Sequence, residues 1–412
     1  MELQYRRCAG IDVHKKQITV CLRLAEPAGV RREIREFGTT TRELLSLLDW
    51  LTGQRITHAV MESTGAFWKP VYNILEGSVE MLLANAQHLK TVPGRKTDIK
   101  DSEWLADLHA HGLLKASFVP NLEQRGIREL TRTRSSLVGE RARLANRVQK
   151  ILEDANIKLA SVVTDVLGVS CRGMLARILE GDYDPKQTAG LARGRMRSKL
   201  EQLEFALEGR VRDHHRIVLR ELLAQVDALG QSIERLDREI VRAMEQAKDP
   251  YESAAQLIDT APGVAEVGAR AVLAEIGTDM GRFPTAGHLA SWAGECPGNK
   301  QSGGKRLSGR TTHGNGWLRK VLNQIAHAAV KVKGCYVQAL YRRLSGRIGK
   351  KRAIVAVAHS LLVAFWHMLK NGVQYQELGA NYFDHRDKER TAKRLRARLE
   401  NLGYSVDLRE AA

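Results

Sequence analysis

This 412-residue sequence predicts an α/β domain, then long charged helices, then a mainly α-helical terminal domain. Three observations carry that reading. Up to Leu83, short β-branched runs alternate with amphipathic stretches. From Leu122 to Glu245, apolar residues recur at three- and four-residue steps within strongly charged sequence. After Pro250, glycine and proline return between shorter apolar helical runs.

The elements follow in order. Cys8-Ala-Gly-Ile-Asp-Val-His14 and Ile18–Leu22, joined by the polar Lys15–Gln17, predict a β-hairpin, and Arg32–Phe37 a third strand. Leu44, Leu45, Leu47, Leu48 and Leu51 give an amphipathic helix, and Ile56–Met61 a strand ending in Glu62-Ser-Thr-Gly65. A helix over Phe67–Leu75, a strand over Val79–Leu83 and a helix in Gly94-Arg-Lys-Thr-Asp-Ile-Lys-Asp-Ser-Glu-Trp-Leu-Ala-Asp-Leu108 complete the set. This is the order of ribonuclease-H-like folds.

In such a fold Asp12 lies on the first strand, Glu62 ends the neighbouring fourth strand, and Asp98 and Asp101 come from a helix packed across both. Asp101, Trp104, Leu105 and Leu108 follow the i, i+3, i+4, i+7 spacing of a core-facing stripe, which turns an acid toward the interior. Four converging carboxylates need a cation, and hard oxygen ligands suit Mg²⁺ or Mn²⁺. Two such ions could clamp the attacking and leaving oxygens of a phosphodiester. Each acid also has an ordinary role. Thr97 or Asp98 can be an N-cap and Asp101 a first-turn acid, Asp12 a polar hairpin residue, and Glu62 an acid at a helix N-terminus.

In the middle region Leu130, Leu137, Leu144 and Ile151 recur every seven residues among Arg128, Arg132, Arg134, Arg141, Arg143 and Arg147. Leu219, Leu222, Val226, Leu229, Ile233, Leu236 and Ile240 keep a 3,4 spacing over three heptads, a coiled-coil seam that can close within the chain or between chains. Gly181–Ala192 reads as the break between the two helices. The arginines can track phosphates or form a solvated face.

Beyond Pro250, Pro262-Gly-Val followed by Val267-Gly268 at a helix start resembles a helix-hairpin-helix, whose backbone amides meet a phosphate; a plain helical turn is the alternative. Ser302 stands in a glycine-rich basic stretch with Gly303, Gly304, Lys305, Arg306 and Arg310. A serine there can hydrogen-bond a phosphate or attack one, and attack needs a base or a metal to activate it. Spacing alone shows no partner base. Helices over Trp317–Leu322 and Ile354–Met368 close this domain, and Arg386–Arg398 forms a basic helix.

Lys and Arg number 65 against 47 Asp and Glu, a formal charge of +18 that favours a polyanionic partner, with nucleic acid ahead of acidic membrane. No run of about 18 apolar residues is present, so no membrane span is expected. Met1-Glu-Leu-Gln-Tyr-Arg-Arg7 lacks the apolar stretch of a signal peptide. The five cysteines are scattered, fit a reducing cytoplasm and give no zinc site.

Gly10-Ile-Asp-Val-His-Lys15, Glu62-Ser-Thr-Gly65 and Lys96-Thr-Asp-Ile-Lys-Asp-Ser-Glu-Trp-Leu-Ala106 resemble an Asp-Glu-Asp-Asp transposase domain. The distal Ala290-Ser-Trp-Ala-Gly, Pro297, Ser302-Gly-Gly-Lys, Gly314-Asn and Leu318-Arg319 resemble the second domain of the same proteins, insertion-sequence transposases of the IS-one-ten type, also called bridge-RNA-guided recombinases. The resemblance implies a RuvC-like metal-binding domain with ligands at Asp12, Glu62, Asp98 and Asp101, and Ser302 as the nucleophile that links covalently to DNA. Ser308 is the neighbouring serine most easily confused with it. Also implied are Mg²⁺ or Mn²⁺, DNA at element ends and target, a structured noncoding guide RNA, and a dimer or tetramer with a composite site. The setting implied is the cytoplasm of a bacterium or archaeon, at the nucleoid.

The expected domains are 1–115 RuvC-like, 120–248 coiled coil, 250–375 serine-bearing and 376–412 a basic tail. Two competing expectations are a RuvC-like nuclease or junction resolvase in which water attacks, and a non-enzymatic nucleic-acid-binding protein.

Overall fold

The computed structural model describes residues 3–63, 65–84, 98–181, 183–298 and 300–408. The chain forms two compact units, Met1–Pro120 and Asn121–Ala412.

The first unit is a mixed α/β sheet. Strands β1 (Arg7–Val13), β2 (Gln17–Glu26) and β3 (Gly29–Gly38) form an antiparallel meander. Helix α1 (Thr41–Gly53) leads to β4 (His58–Glu62), parallel to β1, and α2 (Trp68–Leu75) leads to β5 (Glu80–Ala84), parallel to β4. The strand order is β3-β2-β1-β4-β5. Helix α3 (Asp98–Ala110) follows.

The two-residue period of a strand divides the side chains between two layers. Ala9, Ile11, Ala59 and Met61 join Leu44, Leu47 and Leu51 of α1 and Val71 and Leu75 of α2 in one core. On the opposite face Val60 and Ala84 meet Leu105 and Leu108 of α3, and the Cys8 thiol reaches the Ala106 carbonyl at 3.5 Å. Of the predicted stripe Asp101, Trp104, Leu105 and Leu108, the two leucines are buried and Asp101 and Trp104 are half-buried; the buried face also takes in Ser102, Ala106 and His109. Gly10 permits the closest approach, since a Cβ there would collide with the Ser102 carbonyl and the Ala106 amide of α3.

The second unit is helical. Two long helices, α4 (Leu122–Asp154) and, after the short α5 (Leu159–Val162), α6 (Val169–Glu180), α7 (Pro185–Ala189) and α8 (Leu200–Leu207), α9 (Asp213–Gln246), pack together within the chain. Their pairings run antiparallel: Asn121 donates to Asp249, Arg134 to Asp237, and Asp154 meets His215. Next come α10 (Tyr251–Asp259), α11 (Glu266–Ile276), α12 (Ala286–Ala293), strands β6 (Lys300–Ser302) and β7 (Lys305–Ser308), α13 (Gly316–Ala329), α14 (Tyr336–Ile348), α15 (Lys350–Asn371), α16 (Tyr382–Arg386) and α17 (Lys388–Glu400).

The helix pair serves two cores. Val148, Leu152, Leu219, Leu222 and Leu223 close around α6 and α8, whereas Ile127, Ile240 and Met244 join the core built by α10 to α15. Leu130, Leu137, Leu144 and Ile151, the expected seven-residue row, are only half-buried. Burial follows whichever neighbours each end of the helix meets.

Helix α15 is long and apolar enough, by length and composition, to cross a membrane. Its Ile354, Val357, Leu361, Leu362 and Phe365 instead fill the core of the second unit, the stripe of an internal helix.

Candidate active site

In the first unit the site grows out of strand register. Gly10 pairs with Val60 and Ile11 with Met61, so Asp12 and Glu62 are the next residues along two adjacent parallel strands. Gly10 and Val60 face α3, and the two-residue period puts Asp12 and Glu62 on that same face. Asp12 is half-buried and its Oδ2 lies 3.1 Å from Nε2 of the exposed His14. The first turn of α3 carries Asp98 and Asp101; Asp101 is half-buried, and the side chain of Asp98 lies outside the described residues, as does Thr97. Asp12 and Glu62 thus follow the paired stretches of two neighbouring central strands, on the sheet face that α3 covers.

Oxygen donors alone, two from strand ends and two from a helix turn that Gly10 allows to close down, suit a hard divalent ion. Among the described residues, the group of three ligands lying within 4.8 Å of one another is a different one, Asp154, His214 and His215. The His215 ring is already engaged there. Its Nδ1 accepts the Arg212 N–H at 3.1 Å, which leaves Nε2 to donate to Asp154 at 2.8 Å. That cluster is a helix-start brace between α4 and α9.

In the second unit, Ser302 ends β6 and pairs with Lys305 across Gly303 and Gly304. Both glycines have positive φ, 55° and 75°, as a two-residue hairpin turn requires. The expected basic loop is therefore a tight hairpin. The side chains of Ser302 and Ser308 lie outside the described residues. Below the hairpin the strands continue as single rungs: the Gly298 N–H donates to the Arg310 carbonyl at 2.8 Å, and Pro297 bridges Thr311. At the foot Gly294 and Gly314 touch backbone to backbone, where either Cβ would clash.

Two buried carboxylates stand beside this stem, and sequence reasoning missed both. Glu275 of α11 accepts Arg132 through both oxygens at 2.7 Å and Asn315 at 2.6 Å. Asn315 in turn caps α13, accepting from the Trp317 and Leu318 amides. A long-helix arginine is thereby tied to the start of α13. Arg128, deep beside them, has its pKa lowered to about 10 by burial, against the pull of Glu275. The second carboxylate, Glu295, meets Arg319 at 3.6 Å. The signal available was one charge in an apolar run: Glu275 between Ala274 and Ile276, and Glu295 directly after a helix-ending glycine.

The Pro262-Gly263 turn lies between α10 and α11, with Gly263 at φ 76°, and packs so closely on α13 that a Cβ would strike the Ala329 backbone.

Residues 9–157 match a family model for the DEDD-type transposase domain of IS110, described as Transposase, and residues 255–342 match one described as the transposase IS116/IS110/IS902 family. Among curated relatives, a "Probable family 20 transposase" of Pseudomonas aeruginosa is 24% identical over 374 residues, 89% of this chain and 94% of the relative. An "Insertion element IS900 uncharacterized 42 kDa protein" of Mycobacterium paratuberculosis is 27% identical over 343 residues, 72% of this chain and 80% of the relative.

Proposed function

The chain belongs to the IS110-type family of insertion-sequence transposases, and from that premise we propose an RNA-guided recombinase that cuts and rejoins DNA through Ser302. The observation that supports the chemistry is the register of β1 and β4, in which Gly10 pairs with Val60 and Ile11 with Met61, so that Asp12 and Glu62 come next on neighbouring strands. We assign this unit to the ribonuclease-H/RuvC-like folds on its strand order.

Asp12, Glu62, Asp98 and Asp101 would hold Mg²⁺ or Mn²⁺, and the DEDD-type domain itself points to a divalent ion. When bound, such an ion supplies Lewis-acid stabilisation of charge on the phosphodiester oxygens. Ser302 supplies the nucleophile. Its Oγ bonds to phosphorus as the bond from phosphorus to one deoxyribose oxygen breaks; the serine proton leaves and the departing oxygen takes one up. Rejoining reverses this with a hydroxyl from another strand, so the ester bond energy is kept. Lys305 and Arg310 beside the hairpin offset phosphate charge.

The helix-hairpin-helix reading of the Pro262-Gly263 turn, a coiled-coil role for α4 and α9 in a dimer or tetramer, and a structured guide RNA held by the +18 surface belong to the same proposal. So do the domain limits 1–115, 120–248, 250–375 and 376–412.

The test is a covalent trap. Protein, RNA from the native flank, element-junction and target DNA and Mg²⁺ are mixed, denatured and resolved. We expect protein-linked DNA that disappears in Ser302→Ala and in Asp12→Ala but persists in Ser308→Ala. Cleaved DNA with free ends and no linked protein would instead support the water-using nuclease.

A further inference from the structure

Glu295 occupies a slot that usually takes an apolar side chain. Helix α12 ends in a Schellman turn: Gly294 is left-handed at φ 74°, its N–H bonds the Ser291 carbonyl, and the Glu295 N–H bonds the Ala290 carbonyl at 3.0 Å. The residue after such a glycine ordinarily lays a hydrophobic group back on the helix. Here it is a carboxylate whose side chain is 0% exposed, with neither oxygen hydrogen-bonded among the described residues. Burying an acid this way is costly, and burial pushes its pKa up to about 7 although Arg319 opposes the shift.

Arg319 of α13 stands 3.6 Å from Oε1, within ion-pair range and too long for a hydrogen bond. Through Nη2 the same guanidinium donates to Thr311 Oγ1 at 3.2 Å. Thr311 bridges Pro297, in the stem below the serine hairpin. Cys296 is the other ionisable neighbour, its Sγ 3.9 Å from Nδ1 of His359 on α15.

We propose that Glu295 is a positioning residue: its buried carboxylate holds Arg319 against Thr311, and that bridge sets the stem on which Ser302 is presented. This rests on the reading of Ser302 as nucleophile. A purely structural role makes a different forecast: leucine fills the Schellman slot at least as well as glutamate, so stem exchange and the rate of DNA linkage would stay unchanged.

The experiment compares full-length wild type, Glu295→Leu and Glu295→Gln with native-flank RNA, junction and target DNA and Mg²⁺. Glu295→Leu is expected to melt at or above the wild-type temperature at pH 8. Amide hydrogen exchange across residues 297–311 should rise, DNA binding should be kept, and formation of the DNA-linked protein should slow roughly tenfold to a hundredfold, the scale of a small misplacement of a reacting group. Glu295→Gln, which keeps an acceptor toward Arg319, should recover part of that rate and lack the rise in rate expected of wild type as pH climbs through about 7. Unchanged exchange and unchanged rate in Glu295→Leu would overturn the proposal. Raised exchange in Glu295→Leu, with wild type itself forming no protein-linked DNA, would leave the positioning role standing and remove the serine chemistry.

Discussion

Gly10 and His109 show how single residues set the first unit. Gly10 is the point where α3 rests on β1, two residues before Asp12. Gly10→Ala should push α3 off the strand, at a cost of about 1–3 kcal/mol in a denaturant titration, as overpacked cores show. DNA cleavage should fall much further than stability, because the helix that moves carries Asp98 and Asp101; a loss of activity merely in step with stability would refute that link. His109 is buried against Tyr5, and burial, with help from His58, lowers its pKa to about 4. The unfolded chain regains the ordinary value and binds a proton that the folded form refuses, so stability is present at neutral pH and lost as pH falls from about 6.5 toward 4. The full effect is at most about 3 kcal/mol. His109→Phe should narrow the difference between urea titrations at pH 7.5 and pH 4.5, and an unchanged acid loss would assign it to other groups.

At the scale of elements, the helix pair is buried at its ends and half-covered between them. Leu219, Leu222 and Val226 are buried at one end and Ile240 and Met244 at the other, while Leu229, Ile233 and Leu236 are half-buried. Leu219→Ala should therefore cost about 2–5 kcal/mol at any protein concentration, as deletions in closed cores do. If the central stretch meets a second copy, Leu236→Ala should matter little in dilute protein and lower the melting temperature mainly at high concentration, since only association makes stability concentration-dependent. Equal cost at both concentrations would place its packing wholly within one chain. Melting scans over a hundredfold dilution separate the two.

For the whole molecule, charge is the property that acts at a distance. A formal +18 on 412 residues predicts nucleic-acid affinity that falls steeply between 50 and 200 mM salt, through release of counterions from the phosphates. Part of that charge sits on α17, whose Lys388, Arg390, Lys393, Arg394, Arg396 and Arg398 lie on a helix with no buried residue. Truncation after Arg386 keeps the Arg343–Phe383 stacking and should flatten the salt slope by up to about 0.9 for each phosphate that α17 neutralises, with little effect on the cleavage step. An unchanged slope would show that the tail does not touch nucleic acid.

The sequence by itself determined the elements of the first unit and the faces its residues take. Alternation in Cys8–Val13 and His58–Glu62 decides which side chains share a sheet face, and parity alone puts Asp12 and Glu62 together once the strands pair. It also marked Ser302 by its glycines, since the hairpin turn needs positive φ at both positions. Tertiary structure decided the rest. Which row of α4 is buried depends on two different cores at its two ends, and no periodicity within one helix encodes that. The helix over Ile354–Met368 was legible in the sequence, but which of its side chains lie in the core was decided by the neighbours it packs against. The buried charges Glu275 and Glu295 could not be given partners from the sequence, because Arg132, Asn315 and Arg319 lie up to 143 residues away along the chain. Local sequence carries conformational preference, but the partner of a buried charge is fixed only when distant segments are brought together.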